Sequence, residues 1–320
     1  MKHLSTKLLI AVLGLFFITN FHAQSGIFES FVILDSGSGN NLYDLFSPTD
    51  TTINTPVFDF NGASLGTFGT SNGTLILNGG QNNIWKCNAT DDITSGWLHY
   101  IIYQTGSRPL TPTFTDINLS TTVNTFIGAA CGGNGDNQEW ITNNLNTNLL
   151  NGLASGDYTL EVLTHANYSI NGTNQNPPYY VNNNGNNFTA TFRADNPPMA
   201  NCISTLTVQL DASGNATIVA SDIDNGSTDD FSTPTLTIDI DTFDCSDIGT
   251  PITVTLTAED SLGQTDSCTT VITVQDNVTP ITPTLSAVTV DCNGALTVPT
   301  TTDVCAGTIT GTTSDTLSFV

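Results

Sequence analysis

Basic residues are nearly missing from this 320-residue chain: Lys and Arg together number 5, against 29 Asp and Glu. Two of the five, Lys2 and Lys7, sit at the extreme N-terminus, which leaves Lys86, Arg108 and Arg193 for everything that follows. Phosphate backbones are held by clustered Lys and Arg, so the deficit excludes nucleic acid as a partner and disfavours an anionic membrane surface. No apolar run beyond residue 23 reaches the length of a membrane span, so membrane insertion is not expected. Helical periodicity is absent as well. Thr142–Leu153 comes nearest, and its Asn residues argue for a loop. The spacings that signal chemistry are missing too, with no Cys-x-x-Cys and no His-Glu-x-x-His. Only His99 and His165 lie beyond the N-terminal segment, on separate apolar runs. Gly69-Thr70-Ser71-Asn72-Gly73 matches the nucleophile-elbow pattern, but that elbow leads into a helix, whereas Thr74-Leu75-Ile76-Leu77 reads as a strand. A hairpin turn is expected there. Carboxylates are abundant, yet nothing selects two of them as a glycosidase pair. No enzymatic activity is expected within these residues.

What is present begins with an export signal. Lys2, His3 and Lys7 precede the apolar core Leu8–Ile18, and Ala23 suits cleavage before Gln24. Residues 1–23 therefore read as a cleaved signal peptide, and the protein is expected to be extracellular or on the cell surface. No cysteine lies near the cut, so a lipid anchor is not expected. The acidic balance attracts divalent cations and disperses the chain.

The rest reads as all-β. From Ser25 to about Asn196, FESFVIL (Phe28–Leu34), GTLILNG (Gly73–Gly79), WLHYIIY (Trp97–Tyr103), DYTLEVLTHA (Asp157–Ala166) and NFTATFRAD (Asn187–Asp195) are strand-like. They are separated by Asn-Gly, Gly-Asn and Ser-Gly turns, and their length suits one jelly-roll-like β-sandwich. From residue 200 to 278 the runs shorten to LTVQL (Leu206–Leu210), ATIVA (Ala216–Ala220), TLTIDI (Thr235–Ile240), ITVTLTAED (Ile252–Asp260) and CTTVITVQD (Cys268–Asp276). β-Branched runs of this length between turn residues indicate a small all-β sandwich. Asp195-Asn196-Pro197-Pro198 and Asp276-Asn277-Val278-Thr279-Pro280 punctuate the chain alike, so a second repeat is expected to start at Thr279 and to be truncated at Val320. Its unpaired edge predicts poor order over residues 279–320.

All seven cysteines lie beyond the signal, where disulfides form. Spacing and proximity suggest Cys87–Cys131 in the first domain and Cys292–Cys305 in the last segment, leaving Cys202, Cys245 and Cys268 in the middle module.

The phrases LDASGNATIVASDIDNGSTDDF, TFDCSDIG and VTLTAEDSLGQTDSCTTVITVQDN resemble hyalin-repeat domains, immunoglobulin-like modules of secreted and cell-surface Bacteroidetes proteins. The resemblance covers about residues 200–278. The first domain is similar to an uncharacterised N-terminal domain of secreted flavobacterial proteins, which brings no activity with it. The repeat resemblance implies that Cys202 pairs with Cys268. Relatives carry a fourth cysteine where this chain has Asp230-Phe231, so Cys245 is left as a buried thiol or an intermolecular bridge. It further implies a stalk or adhesive array, with a C-terminal sorting domain for type IX secretion often following in such proteins.

Two candidate sites remain. The acidic turn bearing Asp222, Asp224, Asp229 and Asp230 is the best calcium site, because calcium takes six to eight oxygens and alternating Asp around Gly226 can curl several carboxylates together. Asp260 and Asp266 flank a neighbouring turn. No other cofactor is expected. The second site is a sugar platform formed by Tyr179 and Tyr180 with Asn182, in an Asn-rich loop after Pro177-Pro178. Trp85, Trp97 and Trp140 are further aromatic candidates, with Trp85 and Trp97 reading as core. The expected function is a secreted structural or adhesive cell-surface protein with a polysaccharide or protein partner. The alternatives are a carbohydrate-binding module on a stalk, or the accessory part of a larger secreted enzyme.

Overall fold

The structure is a computed structural model that describes residues 25–45, 58–86, 91–123, 136–284 and 298–312. Residues 1–23, expected as a signal peptide, the expected Cys87–Cys131 pair and Cys292 lie outside the described residues. The chain forms two compact units. One comprises Met1–Phe68 with Gly73–Ala194, and the other Gly69–Asn72 with Asp195–Val320.

The first unit contains β1 (Ser25–Asp35), β2 (Asn40–Asp44), β3 (Phe58–Asp59), β4 (Ser64–Gly69), β5 (Ile76–Lys86), β6 (Asp91–Gln104) and β7 (Thr115–Val123). It continues with β8 (Asp136–Thr142), β9 (Thr147–Asn148), β10 (Gly156–Ile170), β11 (Thr173–Asn174), β12 (Tyr179–Val181) and β13 (Phe188–Asp195). Hydrogen bonding joins them in the order β3-β2-β1-β5-β8-β7-β6-β10-β13-β4. The sheet turns over at β7, whose residues 115–119 pair with β6 while 120–123 pair with β8. The two halves then face each other across one core, with Val32 and Leu77 on one side and Leu98, Leu160, Val162 and Phe188 on the other. Alternation explains the burial. In β13, Phe188, Ala190, Phe192 and Ala194 point inward between exposed or half-buried neighbours. A small polar cluster crosses the core where the Ser30 hydroxyl donates to Asn82 Oδ1 at 2.7 Å and accepts from the Thr164 hydroxyl at 2.7 Å. Gly79 in β5 has φ +138°, and a β-carbon there would lie 2.0 Å from the Thr142 carbonyl oxygen, so only glycine lets β8 approach at this bulge.

The second unit contains β14 (Thr205–Gln209), β15 (Asn215–Thr217), helical turn α1 (Ala220–Ile223), β16 (Thr235–Ile238), β17 (Thr242–Asp244), β18 (Ile252–Glu259) and β19 (Thr265–Gln275). A four-stranded sheet β14-β19-β18-β16 lies opposite the β15–β17 ladder. Between them pack Val208, Val254, Leu256, Ile272 and Val274 with Ile218, Ile223 and Phe243. First and last strands pair in parallel and the others antiparallel, which is the immunoglobulin-like arrangement. The run expected as a strand to Ala220 ends at Thr217. Asp222 Oδ2 accepts the Val219 N–H at 2.8 Å and turns the chain into α1 instead.

Residues 298–312 carry the hairpin β20 (Thr300–Asp303) and β21 (Gly307–Thr310). This segment corrects the expected cysteine pairing. Cys202 is bridged to Cys268, whereas Cys305 is bridged to Cys245 and so is not available to Cys292. Cys245 is thus neither a free thiol nor an intermolecular bridge. The hairpin brings Cys305 against the core of the second unit, beside Cys245. Gly214, with φ +78°, makes room: a β-carbon there would sit 2.8 Å from Cys245 Sγ and 2.7 Å from Val304 Cγ1.

The turn Gly69–Asn72 also departs from expectation. β4 pairs with β13 and β5 with β1, so the two are not a hairpin. Ser71 instead donates its N–H and hydroxyl to Gln264 Oε1, at 3.1 and 2.8 Å.

Candidate functional site

On the outer face of the first unit, β6, β10 and β12 bring flat rings into a row. Register places His165 opposite Trp97 on one side and Tyr180 on the other. The Trp97 and His165 rings stack at 6.1 Å, and His165 meets Tyr180 at 5.5 Å. Tyr180 is 51% exposed. Ser95 accepts from Trp97 Nε1 at 2.9 Å and from Asn167 Nδ2 at 2.7 Å, placing polar groups beside the rings. Of the expected platform, Tyr180 is open. Tyr179 stacks on Tyr168 at 4.0 Å, and Asn182 Oδ1 accepts the Gly185 N–H, closing a turn. Trp97 is half-buried and belongs to the row rather than to the core.

The row is wired to a carboxylate. His99 Nδ1 lies 2.7 Å from Asp116 Oδ1, and its Nε2 lies 2.6 Å from His165 Nδ1. Protonation of both rings at Nδ1 satisfies the whole chain of contacts. Burial, then repulsion from His99, pushes His165 down to about 4, against the pull of Asp116. A Ser-His-Asp unit needs a hydroxyl on the second imidazole nitrogen, and here another imidazole takes that place. Further along β10, Glu161 is 1% exposed and accepts from Arg108 Nε and Nη2, at 2.6 and 2.7 Å. Tyr103 and Asn187 also donate to it. Burial raises the Glu161 carboxyl, but these donors outweigh it and hold the group below the ordinary range.

The second unit gathers Asp195, Asp229 and Asp230, with one carboxylate oxygen of each within 4.8 Å of the others. Asp195 is 0% exposed, and as an ionised carboxylate neither of its oxygens has a hydrogen-bond partner, its one hydrogen-bonding contact being a carboxyl–carboxyl pairing with Asp230 that needs a shared proton. Burial, then Asp230, Asp229 and Asp260, pushes its carboxyl up to about 6. Asp229 Oδ2 accepts from the Ser232 N–H and hydroxyl and from the Phe231 N–H, while its Oδ1 is buried without a partner. Burial works to raise Asp229, yet those donors keep it below the usual carboxylate range and therefore ionised.

The acidic turn is thus split. Asp229 and Asp230 join Asp195, which sequence reasoning passed over as a strand end. Asp222 and Asp224 serve local structure, Asp224 Oδ1 accepting the Ser227 N–H and hydroxyl at 2.9 and 2.6 Å. Asp260 is satisfied by Leu262 and Gln264, and Asp266 accepts the Ala200 N–H.

No family model and no curated protein matches this chain. Among solved structures, the DIP-gamma IG1+IG2 fragment is similar at 9% identity over 68% of this chain and 95% of that one, with a TM-score of 0.25. Extracellular cadherin domains 1–4 of protocadherin gamma B7 are similar at 11% identity over 66% of this chain and 48% of that one, TM-score 0.26. The titin I-band fragment I67–I69 matches at 11% identity over 78% and 93%, TM-score 0.19. Nothing about activity or partners follows from these likenesses, and the fold described above stands on its own strand pairing.

Proposed function

We propose that this chain is an exported, non-catalytic β-protein whose sandwich modules, hyalin-type repeats among them, serve a structural or adhesive role at the cell surface. The observation that carries this reading is the pair of disulfides in the second unit, because such bridges form and persist in oxidising compartments. The signal-like pattern of residues 1–23 and the scarcity of basic residues support it. No helix among the described residues is long and apolar enough to cross a membrane. The test is protease shaving of intact source cells, followed by immunodetection, with thiol alkylation before lysis. Recovery of the oxidised protein from the surface or the medium supports the reading. A reduced protein confined to the cytosol refutes it.

A second reading, carbohydrate binding, is favoured by the Trp97–His165–Tyr180 row. Adjacent strands hold flat rings at a spacing suited to successive sugar faces, with amide and hydroxyl groups alongside. Affinity electrophoresis of the full chain against bacterial and algal polysaccharides tests it. Retardation that Tyr180→Ala abolishes, at unchanged thermal midpoint, supports binding, and absence of retardation by every glycan refutes it for that panel.

A further inference from the structure

We propose that Asp195, Asp229 and Asp230 form a calcium site in the second unit. The cluster is more than a set of acidic neighbours. Asp195 is fully buried, and when it is ionised neither of its carboxylate oxygens receives a hydrogen bond from a backbone or side-chain donor. A buried carboxylate without partners is among the most costly groups a fold can carry, and native structures almost always satisfy it. Asp229 adds a third oxygen of the same kind, buried and without a donor. One carboxylate oxygen from each of Asp195, Asp229 and the exposed Asp230 lies within 4.8 Å of the other two.

No side chain of the second unit can neutralise this convergence. No Lys, Arg or His occurs in the sequence from residue 195 onward. A bound cation supplies the missing charge and the missing coordination together. The donor set selects which cation. It offers only carboxylate oxygens, with no imidazole or thiolate, which disfavours zinc and copper. Asp195 can present both oxygens to one ion, as calcium accepts and as the stricter octahedral demands of magnesium discourage. Solvent at the Asp230 side completes the shell with water.

The surroundings are built to hold such an ion. The Asp195 main-chain carbonyl accepts from the Thr70 N–H at 2.7 Å and from Gln264 Nε2 at 3.0 Å. Gln264 is anchored in turn on Asp260. The Ser232 and Phe231 donors fix Asp229 Oδ2 and leave Oδ1 buried without a partner. Calcium would therefore clamp Asp195 to the turn after α1. The inference does not depend on the adhesive or carbohydrate reading.

The test is calorimetric titration of the full chain with calcium chloride after chelator treatment, with magnesium chloride in parallel. The expected result is one calcium bound per chain, with magnesium at least tenfold weaker. Because Asp195→Asn alters a buried group and can impair folding, Asp230→Asn, at an exposed position, is the primary variant. It should weaken calcium binding roughly tenfold or more. The control is Asp222→Asn, which leaves the cluster intact and should bind as the parent does. Calcium should also slow amide exchange in residues 228–232, an effect lost in Asp230→Asn. No calcium binding at millimolar concentration overturns the proposal. So does binding that Asp230→Asn leaves unchanged, or binding abolished by Asp222→Asn instead.

Discussion

Removing the Cys245–Cys305 bridge by a Cys245→Ala/Cys305→Ala double substitution should cost the second unit most of its margin of stability. The bridged residues are separated by 60 positions. For a loop of that length, the chain-entropy model gives about 4 kcal/mol of stabilisation through the unfolded state. The surviving Cys202–Cys268 bridge does not shorten that loop, because every covalent route between residues 245 and 305 is at least as long. The choice of probe matters. All tryptophans and tyrosines lie before residue 195, so intrinsic fluorescence reports the first unit and is blind to the second. Hydrogen exchange read by mass spectrometry on β18 and β19 peptides sees the second unit directly. If these amides exchange through opening of the whole unit, a loss of about 4 kcal/mol lowers their protection by about 10³. Peptides of β10 should be unchanged. A fall of less than tenfold in β18 and β19, or an equal fall in β10, would refute the reasoning. So would peptide mapping that recovers Cys292 joined to Cys305.

Two further outcomes concern the first unit, where tryptophan fluorescence is informative. Arg108→Met leaves the buried Glu161 carboxylate with only Tyr103 and Asn187, and should lower stability by about 2–3 kcal/mol in urea denaturation, the half-exposed arginine keeping the cost below that of a fully buried pair. A loss under about 0.5 kcal/mol would mean that solvent replaces the guanidinium. His165 titrates near 6.5 when unfolded and about 4 when folded, so between those values the unfolded chain holds more protons. Its contribution is complete above pH 6.5 and is lost as pH falls toward 4, and the ring lies against His99, itself in contact with Asp116, and against Tyr180. The thermal midpoint should therefore drop over that window, and His165→Gln should flatten the slope. Parallel slopes would sink the assignment.

The strands were legible where β-branched or aromatic residues alternate with polar ones, as in β6, β10, β18 and β19. Legibility failed where the pattern depended on partners elsewhere. The middle of β5, Gln81-Asn82-Asn83, reads as polar, yet Asn82 is buried because Ser30 and the His165 carbonyl receive it. The ring row could not be seen because Trp97, His165 and Tyr180 meet only through the register of three strands. Asp195 was missed for a sharper reason. Alternation after the buried Ala194 predicts an exposed residue, but Asp195 is buried as well. Two successive buried positions at a strand end, the second of them charged, leave no periodic trace. The Cys245 partner was hidden because Cys305 lies beyond the Asp-Asn-Pro punctuation, in a segment that reads as the next repeat.

The Cys202–Cys268 bridge has a mechanical consequence. It joins a residue just ahead of β14 to one inside β19, the last strand of the sandwich. Tension applied between residues 195 and 276 would run along the backbone to Cys202, cross the sulfur–sulfur bond, and leave along Cys268–Asp276. The chain between the two cysteines, β14 to β18 included, lies off the load path. Even if those strands came apart under tension, their contour would stay locked in the covalent loop. The bridge withholds 66 residues, or roughly 220 Å of extended chain. Pulled from these points, the module behaves as a tether of nearly fixed length rather than as a spring.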